Sequence, residues 1–230
     1  MKIRFAFVIV CLSILAVVIF LWARQTPEMV VVVHGDSITN GHSASSPDNT
    51  FVEQLRHILS EKYKSVDVYA RGIDGQGWEY VWPSSGYRLT LRQDAFSSVD
   101  RWRRASADSW LVLFAGTNDI ALGNIGGEEA ASALKRYIDE RIESGWQPNR
   151  LIVCTMLPRE GTERQRRVFN DLIVSLANRY QYRLCRLDLI PHMGGSDDNL
   201  HTVYFSEDQI HPNDAGHLVI ARTIAELINP

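Results

Sequence analysis

The chain has 230 residues, a formal net charge of −3, 45% hydrophobic residues and 22% charged residues. That size fits one α/β domain with a short appendage, and the nearly balanced charge gives no electrostatic ground for nucleic-acid binding. Three cysteines, Cys11, Cys154 and Cys185, form no CxxC and no Cys/His cluster, so no zinc site and no cofactor are expected.

Residues 5–22 carry no charge, with Lys2 and Arg4 before them and Arg24 after. The stretch is at the short end for crossing a bilayer, which takes about 20 apolar residues. The basic residues ahead of it favour a cytoplasmic N-terminus. Residues 21–26 make a poor cleavage site, and the residues before Cys11 lack the small side chains of a lipoprotein signal. The expectation is an uncleaved signal anchor over residues 1–25 and an exported domain over residues 26–230. That domain would be periplasmic in a Gram-negative source, and secreted if the segment is cleaved.

Val30-Val31-Val32-Val33 predicts a strand buried on both faces, as in a parallel sheet, broken by Gly35-Asp36. A polar loop over 40–49 leads to a helix over 51–63, capped by Asn49 or Thr50, with Phe51, Leu55, Ile58 and Leu59 on one face. A second strand follows at 66–70. Residues 78–108 are the hardest to place: Trp78, Tyr80, Trp82, Tyr87 and Trp102 cluster there, and Pro83 and Gly86 interrupt any helix. They read either as a surface segment packed by its own aromatics or as an aromatic platform beside a site. Strands are expected at 109–115, 151–156 and 182–189. Helices are expected at 127–144, closed by Gly145, at 162–180 with Thr162 as a cap, and at 215–228. The basic runs at 101–104 and 164–167 read as solvated helix faces. Alternating strands and helices argue for a doubly wound parallel sheet with helices on both faces.

The chemistry-bearing residues fall at strand ends, where open α/β sheets place their sites. They form four blocks: Gly35-Asp36-Ser37, Ala70-Arg71-Gly72-Ile73-Asp74-Gly75, Gly116-Thr117-Asn118-Asp119, and Asp208-Gln209-Ile210-His211-Pro212-Asn213. In this order they resemble the SGNH hydrolase superfamily, the GDSL-type esterases and lipases, from about residue 30 to the end. The resemblance implies a flavodoxin-like five-stranded sheet, and it departs from the family's pattern at Ala70, often Asn, and at Ile38, often Leu.

A serine hydroxyl needs a base within hydrogen-bond reach, and the base gains from a carboxylate on its other nitrogen. Ser37, His211 and Asp208 can fill these roles, and Asp-x-x-His is short enough to come from one loop, stiffened by Pro212. Acyl transfer also needs donors aimed at the oxyanion. The resemblance assigns these to the Ser37 and Gly75 backbone N–H groups and the Asn118 amide, with Gly72 or Gly77 replacing Gly75 if the loop register differs. His34, His42, His57, His192, His201 and His217 read as turn, surface or helix residues, with His42 and His201 also able to line a cleft. Asp36 and Asp119 read as turn-holding residues, and Asp197-Asp198 as a solvated pair.

These readings lead to a membrane-anchored, extracytoplasmic serine esterase acting on a small-molecule, glycan or lipid acyl ester, with an acetylated glycan among the candidates. Lysophospholipase or thioesterase activity is the nearest rival. An acyltransferase domain served by a partner protein, and a binding module without chemistry, are the further alternatives.

Overall fold

The computed structural model describes residues 27–193 and 203–228. The expected anchor, Asp197-Asp198 and His201 lie outside the described residues. Among the described residues, no helix is long and apolar enough to cross a membrane.

Five strands, β1 Met29–Gly35, β2 Val66–Gly72, β3 Asp108–Phe114, β4 Leu151–Cys154 and β5 Arg183–Cys185, pair in parallel in the order β2-β1-β3-β4-β5. Every residue of β1 is buried. Met29, Val31 and Val33 face one core layer, and Val30 and Val32 face the other. Helices α1 Phe51–Ser60 and α6 Asp214–Ile228 cover the first layer. Helices α2 Leu91–Ser98, α4 Gly127–Glu143 and α5 Glu163–Tyr180 cover the second, and a short α3, Thr117–Ala121, opens beyond β3. The strand order reverses between β1 and β3. The crevice outside their carboxyl ends is therefore the natural place for a site.

Local chemistry explains most boundaries. The Thr50 hydroxyl accepts from Glu53 N and starts α1. Gly145, at φ +106°, ends α4 while Gly145 N and Trp146 N donate to the Ile142 and Arg141 carbonyls. Thr162 stands at the N-cap of α5, where its carbonyl accepts from Arg166 N, but its hydroxyl donates back to the Arg159 carbonyl at 2.8 Å and accepts no N–H from the first turn. The fourth strand stops short because Met156 N is diverted to the Asn170 side chain at 2.9 Å. The fifth strand ends at Cys185 because Arg186 and Asp188 clasp each other in a two-pronged ion pair, at 2.7 and 2.8 Å, and the chain turns over 187–189. Cys154 and Cys185 face each other across β4 and β5, buried and unbridged.

The segment expected to be irregular holds α2, started by a capping box. The Thr90 hydroxyl accepts from Gln93 N, and the Gln93 side chain accepts from Thr90 N. Its aromatics divide between the two readings. Trp78 is buried beside Tyr137, and Trp102 stacks on Tyr69 at 3.9 Å between ring centroids. Trp82 alone of the cluster lines the cavity that also holds Ser37 and His211.

Beyond α2, Asp100 ties the chain to the end of α4. Its carboxylate accepts from Arg141 at 3.0 Å, the Ser144 hydroxyl at 2.9 Å and the Trp146 indole at 3.1 Å, with Asp100 and Arg141 both buried. Removing one partner of such a pair strands the other charge in the interior. Asp100→Ala is therefore expected to lower the unfolding free energy by about 3 kcal/mol, read from urea denaturation.

Candidate functional site

Ser37 stands two residues beyond β1. The turn that carries it is held from within: Asp36 Oδ1 accepts from Ile38 N at 3.0 Å, and Asn40 N donates to the Asp36 carbonyl. His211 lies in a short loop ahead of α6, where a bridge between Phe205 and Pro212 closes the neck. Asp208 organises that loop. One carboxylate oxygen accepts from the Ser206 hydroxyl, Ile210 N and His211 N at 2.7–2.9 Å, and the other is 2.6 Å from His211 Nδ1.

His211 Nε2 sits 2.8 Å from Ser37 Oγ. Because Nδ1 faces a carboxylate, it carries the hydrogen, which leaves Nε2 to accept the serine proton. Burial alone would push the Asp208 carboxyl up, but the hydrogen bonds from His211, Ile210 and Ser206 hold it below the usual range. Asp208 therefore stays ionised. Burial lowers the His211 pKa from 6.5 despite the opposing pull of Asp208, so the ring is neutral at pH 7.

These groups open on a cavity of 340 Å³ lined by Ser37, His42, Gly75, Trp82, Asn118 and Arg159, among others. Neither the Ser37 nor the Gly75 backbone N–H donates to another protein group among the described residues. The Asn118 amide gives one hydrogen to the Gln76 carbonyl at 3.0 Å, and its carbonyl oxygen accepts from Arg159 at 3.3 Å, which leaves its second N–H unspent. Gly75 has φ +73°, and a Cβ there would come within 2.5 Å of the Trp82 ring. Gly72 abuts the Asn40 backbone and Gly77 the Asp119 carboxylate, and neither lines the cavity. Three donors therefore sit beside one nucleophile, the arrangement that can stabilise charge on an oxygen during attack at a carbonyl.

The remaining candidates separate cleanly. Asp119 is buried and accepts from Trp78 N, Glu79 N and Tyr80 N, which folds the segment after Gly75 back onto α3. Burial raises its pKa to about 6 and that of Asp36 to about 7. His34 is a buried strand residue rather than a turn residue, 2.7 Å from the Tyr137 hydroxyl. His57 is exposed on α1, and His192 lies in a turn.

His42 lines the cavity with its ring 4.2 Å from that of His211. Ligand atoms of His42, Asp208 and His211 lie within 4.8 Å of one another. Both nitrogens of His211 are already engaged with Ser37 and Asp208, so a metal would have to displace that relay.

Two contributions went unread in the sequence. Arg159 reaches the cavity from the end of β4, and its only advance sign is that strand-end position. The start of α6 holds the loop after Ser37. Asp214 accepts from Ser45 N, the Ser45 hydroxyl and the Asn49 amide at 2.6–2.9 Å. His217 accepts from Phe51 N and donates to the His42 carbonyl.

Residues 33–219 match the GDSL-like Lipase/Acylhydrolase family. Among solved structures, the lipase/acylhydrolase from Enterococcus faecalis is similar in fold, with 18% identity, TM-score 0.64, and coverage of 86% of this chain and 94% of that one. A member of the lipolytic G-D-S-L family from Veillonella parvula DSM 2008 is 19% identical, with TM-score 0.61 and coverage of 86% and 97%. The carbohydrate acetylesterase Est24 from Sinorhizobium meliloti is 14% identical, with TM-score 0.60 and coverage of 86% and 97%. No curated protein matches the chain.

The relay predicts that a serine-directed fluorophosphonate labels Ser37. Only neutral His211 can take the serine proton, so the labelling rate should rise with pH on a limb whose midpoint lies below 6.5. Asp208→Asn, which removes the charge that fixes the tautomer, should slow labelling by about 10³–10⁴-fold. Mass spectrometry of the adduct over time measures both.

Proposed function

The chain belongs to the GDSL-like lipase/acylhydrolase family, and we propose that it is a serine esterase that removes small acyl groups from a glycan on the outer side of the cytoplasmic membrane. The observation that carries this reading is the Ser37–His211–Asp208 relay, with spacings of 2.8 and 2.6 Å, opening on one cavity with Gly75 and Asn118.

In this reading, Ser37 Oγ attacks the ester carbonyl while its proton passes to His211 Nε2. The Ser37 and Gly75 N–H groups and the Asn118 amide receive the charge on the carbonyl oxygen. The bond to the alcohol breaks, and His211 returns the proton to the departing oxygen. A water molecule, deprotonated by His211, then attacks the acyl-enzyme; the bond to Ser37 Oγ breaks, the acid leaves, and His211 returns the proton to Oγ. Asp208 holds the imidazole in register through both steps.

The surroundings support a small acyl group on a sugar. The cavity volume of 340 Å³ is at the small end for ligand sites. Across Trp82, which is 40% exposed, lies a second, more polar depression lined by Asn40, Arg71, Asp74 and Tyr87. An exposed indole beside such side chains suits a sugar ring, which stacks by one face and hydrogen-bonds by its edge. The uncharged stretch at 5–22 supports anchoring through residues 1–25, ahead of a catalytic domain over 26–230.

Hydrolysis of 4-nitrophenyl esters from acetate to palmitate tests the reading. Acetate and propionate are expected to exceed decanoate by about ten-fold or more in kcat/KM, the scale on which a pocket discriminates by methylenes. Ser37→Ala is expected to lose at least about 10³-fold. Rates that climb with chain length would move the substrate to lipids or thioesters. A folded protein inactive on every ester would point to a transferase that needs a partner, or to a binding module.

A further inference from the structure

Several partly or fully buried arginines in this protein are paired with acids. Arg71, Arg92, Arg141 and Arg186 each hold a carboxylate within 3.0 Å. Arg159 does not. It is half-buried in the wall of the cavity that contains Ser37 and His211, and among the described residues its hydrogen bond is the one to Asn118 Oδ1. A guanidinium offers five N–H donors, so most of them have no acceptor among the described residues.

The nearby acids do not supply the missing charge. Asp208 is committed to His211, and Asp36 is buried with its own pKa raised to about 7. Burial accordingly dominates at Arg159 and lowers its pKa, with Asp36 and Asp208 opposing from beyond ion-pair range. Removing a cation from water without a paired anion is costly. A cavity that keeps one beside its nucleophile suits a ligand that brings the anion.

We infer that Arg159 is an anion subsite, and that the ester substrate carries a carboxylate close to its scissile carbonyl. This rests on the serine-esterase reading and narrows its substrate class. The carboxylate could belong to the acyl part or to the alcohol part, such as an acidic sugar. In either case Arg159 would grip it in the two-pronged manner that planar guanidinium and carboxylate groups allow.

Two pairs of esters matched in shape separate these sources. Monomethyl succinate against methyl levulinate places the charge in the acyl part. 4-Acetoxybenzoate against 4-acetoxyacetophenone places it in the alcohol part. For each pair, the ratio of kcat/KM for the anionic member to that for the neutral member is compared between the wild type, Arg159→Met and Arg159→Lys, which cancels intrinsic reactivity. In one pair the ratio is expected to fall by about ten-fold or more in Arg159→Met, mainly through KM, and by less in Arg159→Lys. The pair that responds identifies the part of the substrate that bears the charge.

Equal losses on the charged and neutral members would overturn the inference and leave Arg159 as a residue that only positions the Asn118 amide. Ser37-dependent hydrolysis with unchanged ratios in both variants would also overturn it while the esterase reading stands. A wild type that cleaves none of the four esters would remove both. Fluorophosphonate labelling of Ser37 and thermal melts of the two variants check that each is folded.

Discussion

The 2.8 Å hydrogen bond between Ser37 Oγ and His211 Nε2 joins groups 174 residues apart, and much of the architecture serves to hold its two ends. A hydrogen bond of this kind is worth little unless both partners are already in place, because ordering two loops costs more than one contact returns. The loop of Ser37 is fixed by Asp36 from within and by α6 from across the molecule. The loop of His211 is fixed by Asp208 and by the Phe205–Pro212 bridge. Helix α6 acts on both sides. It follows the base directly, and its first residues, Asp214 and His217, hold Ser45, Asn49 and His42 in the loop beyond the nucleophile. One helix start therefore sets the distance between Ser37 and His211.

A second buried carboxylate plays the matching part for Gly75 and Asn118. Asp119 gathers three successive N–H groups, from Trp78 to Tyr80. This pins the segment that follows Gly75 against α3, the helix that carries Asn118. Gly75 and Asn118, which follow different strands, thereby meet at the same cavity. Burial raises the pKa of Asp36 to about 7, and that of Asp119, whose charge the three N–H groups receive, to about 6. Arg159 adds positive charge at the cavity wall.

Much of the frame was legible in the sequence for local reasons. Four successive β-branched valines ended by Gly-Asp suit an interior strand, and β1 is buried throughout. Thr50 and Gly145 marked helix ends because capping depends on neighbours a few residues away. Thr90 and Gln93 carried the same kind of signal for α2, inside a segment that otherwise read as irregular because of its Pro and Gly residues. The strand ends at Cys154 and Cys185 were not legible, because Asn170 on a separate helix and the Arg186–Asp188 clasp decided them. Nor was the division of the aromatics, since nothing in their spacing distinguishes buried Trp78 from Trp82 at the cavity wall.

By itself, the sequence determined the alternation of strands and helices, the placing of Ser37, Asn118 and His211 beyond or near element ends, and the short Asp-x-x-His spacing that lets Asp208 reach the ring. Each is a pattern written within a few residues. Tertiary structure alone decided that the strands order as β2-β1-β3-β4-β5, that Gly75 rather than Gly72 or Gly77 faces the cavity, that His34 sinks against Tyr137, and that Arg159 lines the site without a carboxylate partner. These depend on contacts between residues from tens to more than a hundred positions apart. Such contacts are set by how the layers pack, and no local pattern in the chain encodes them.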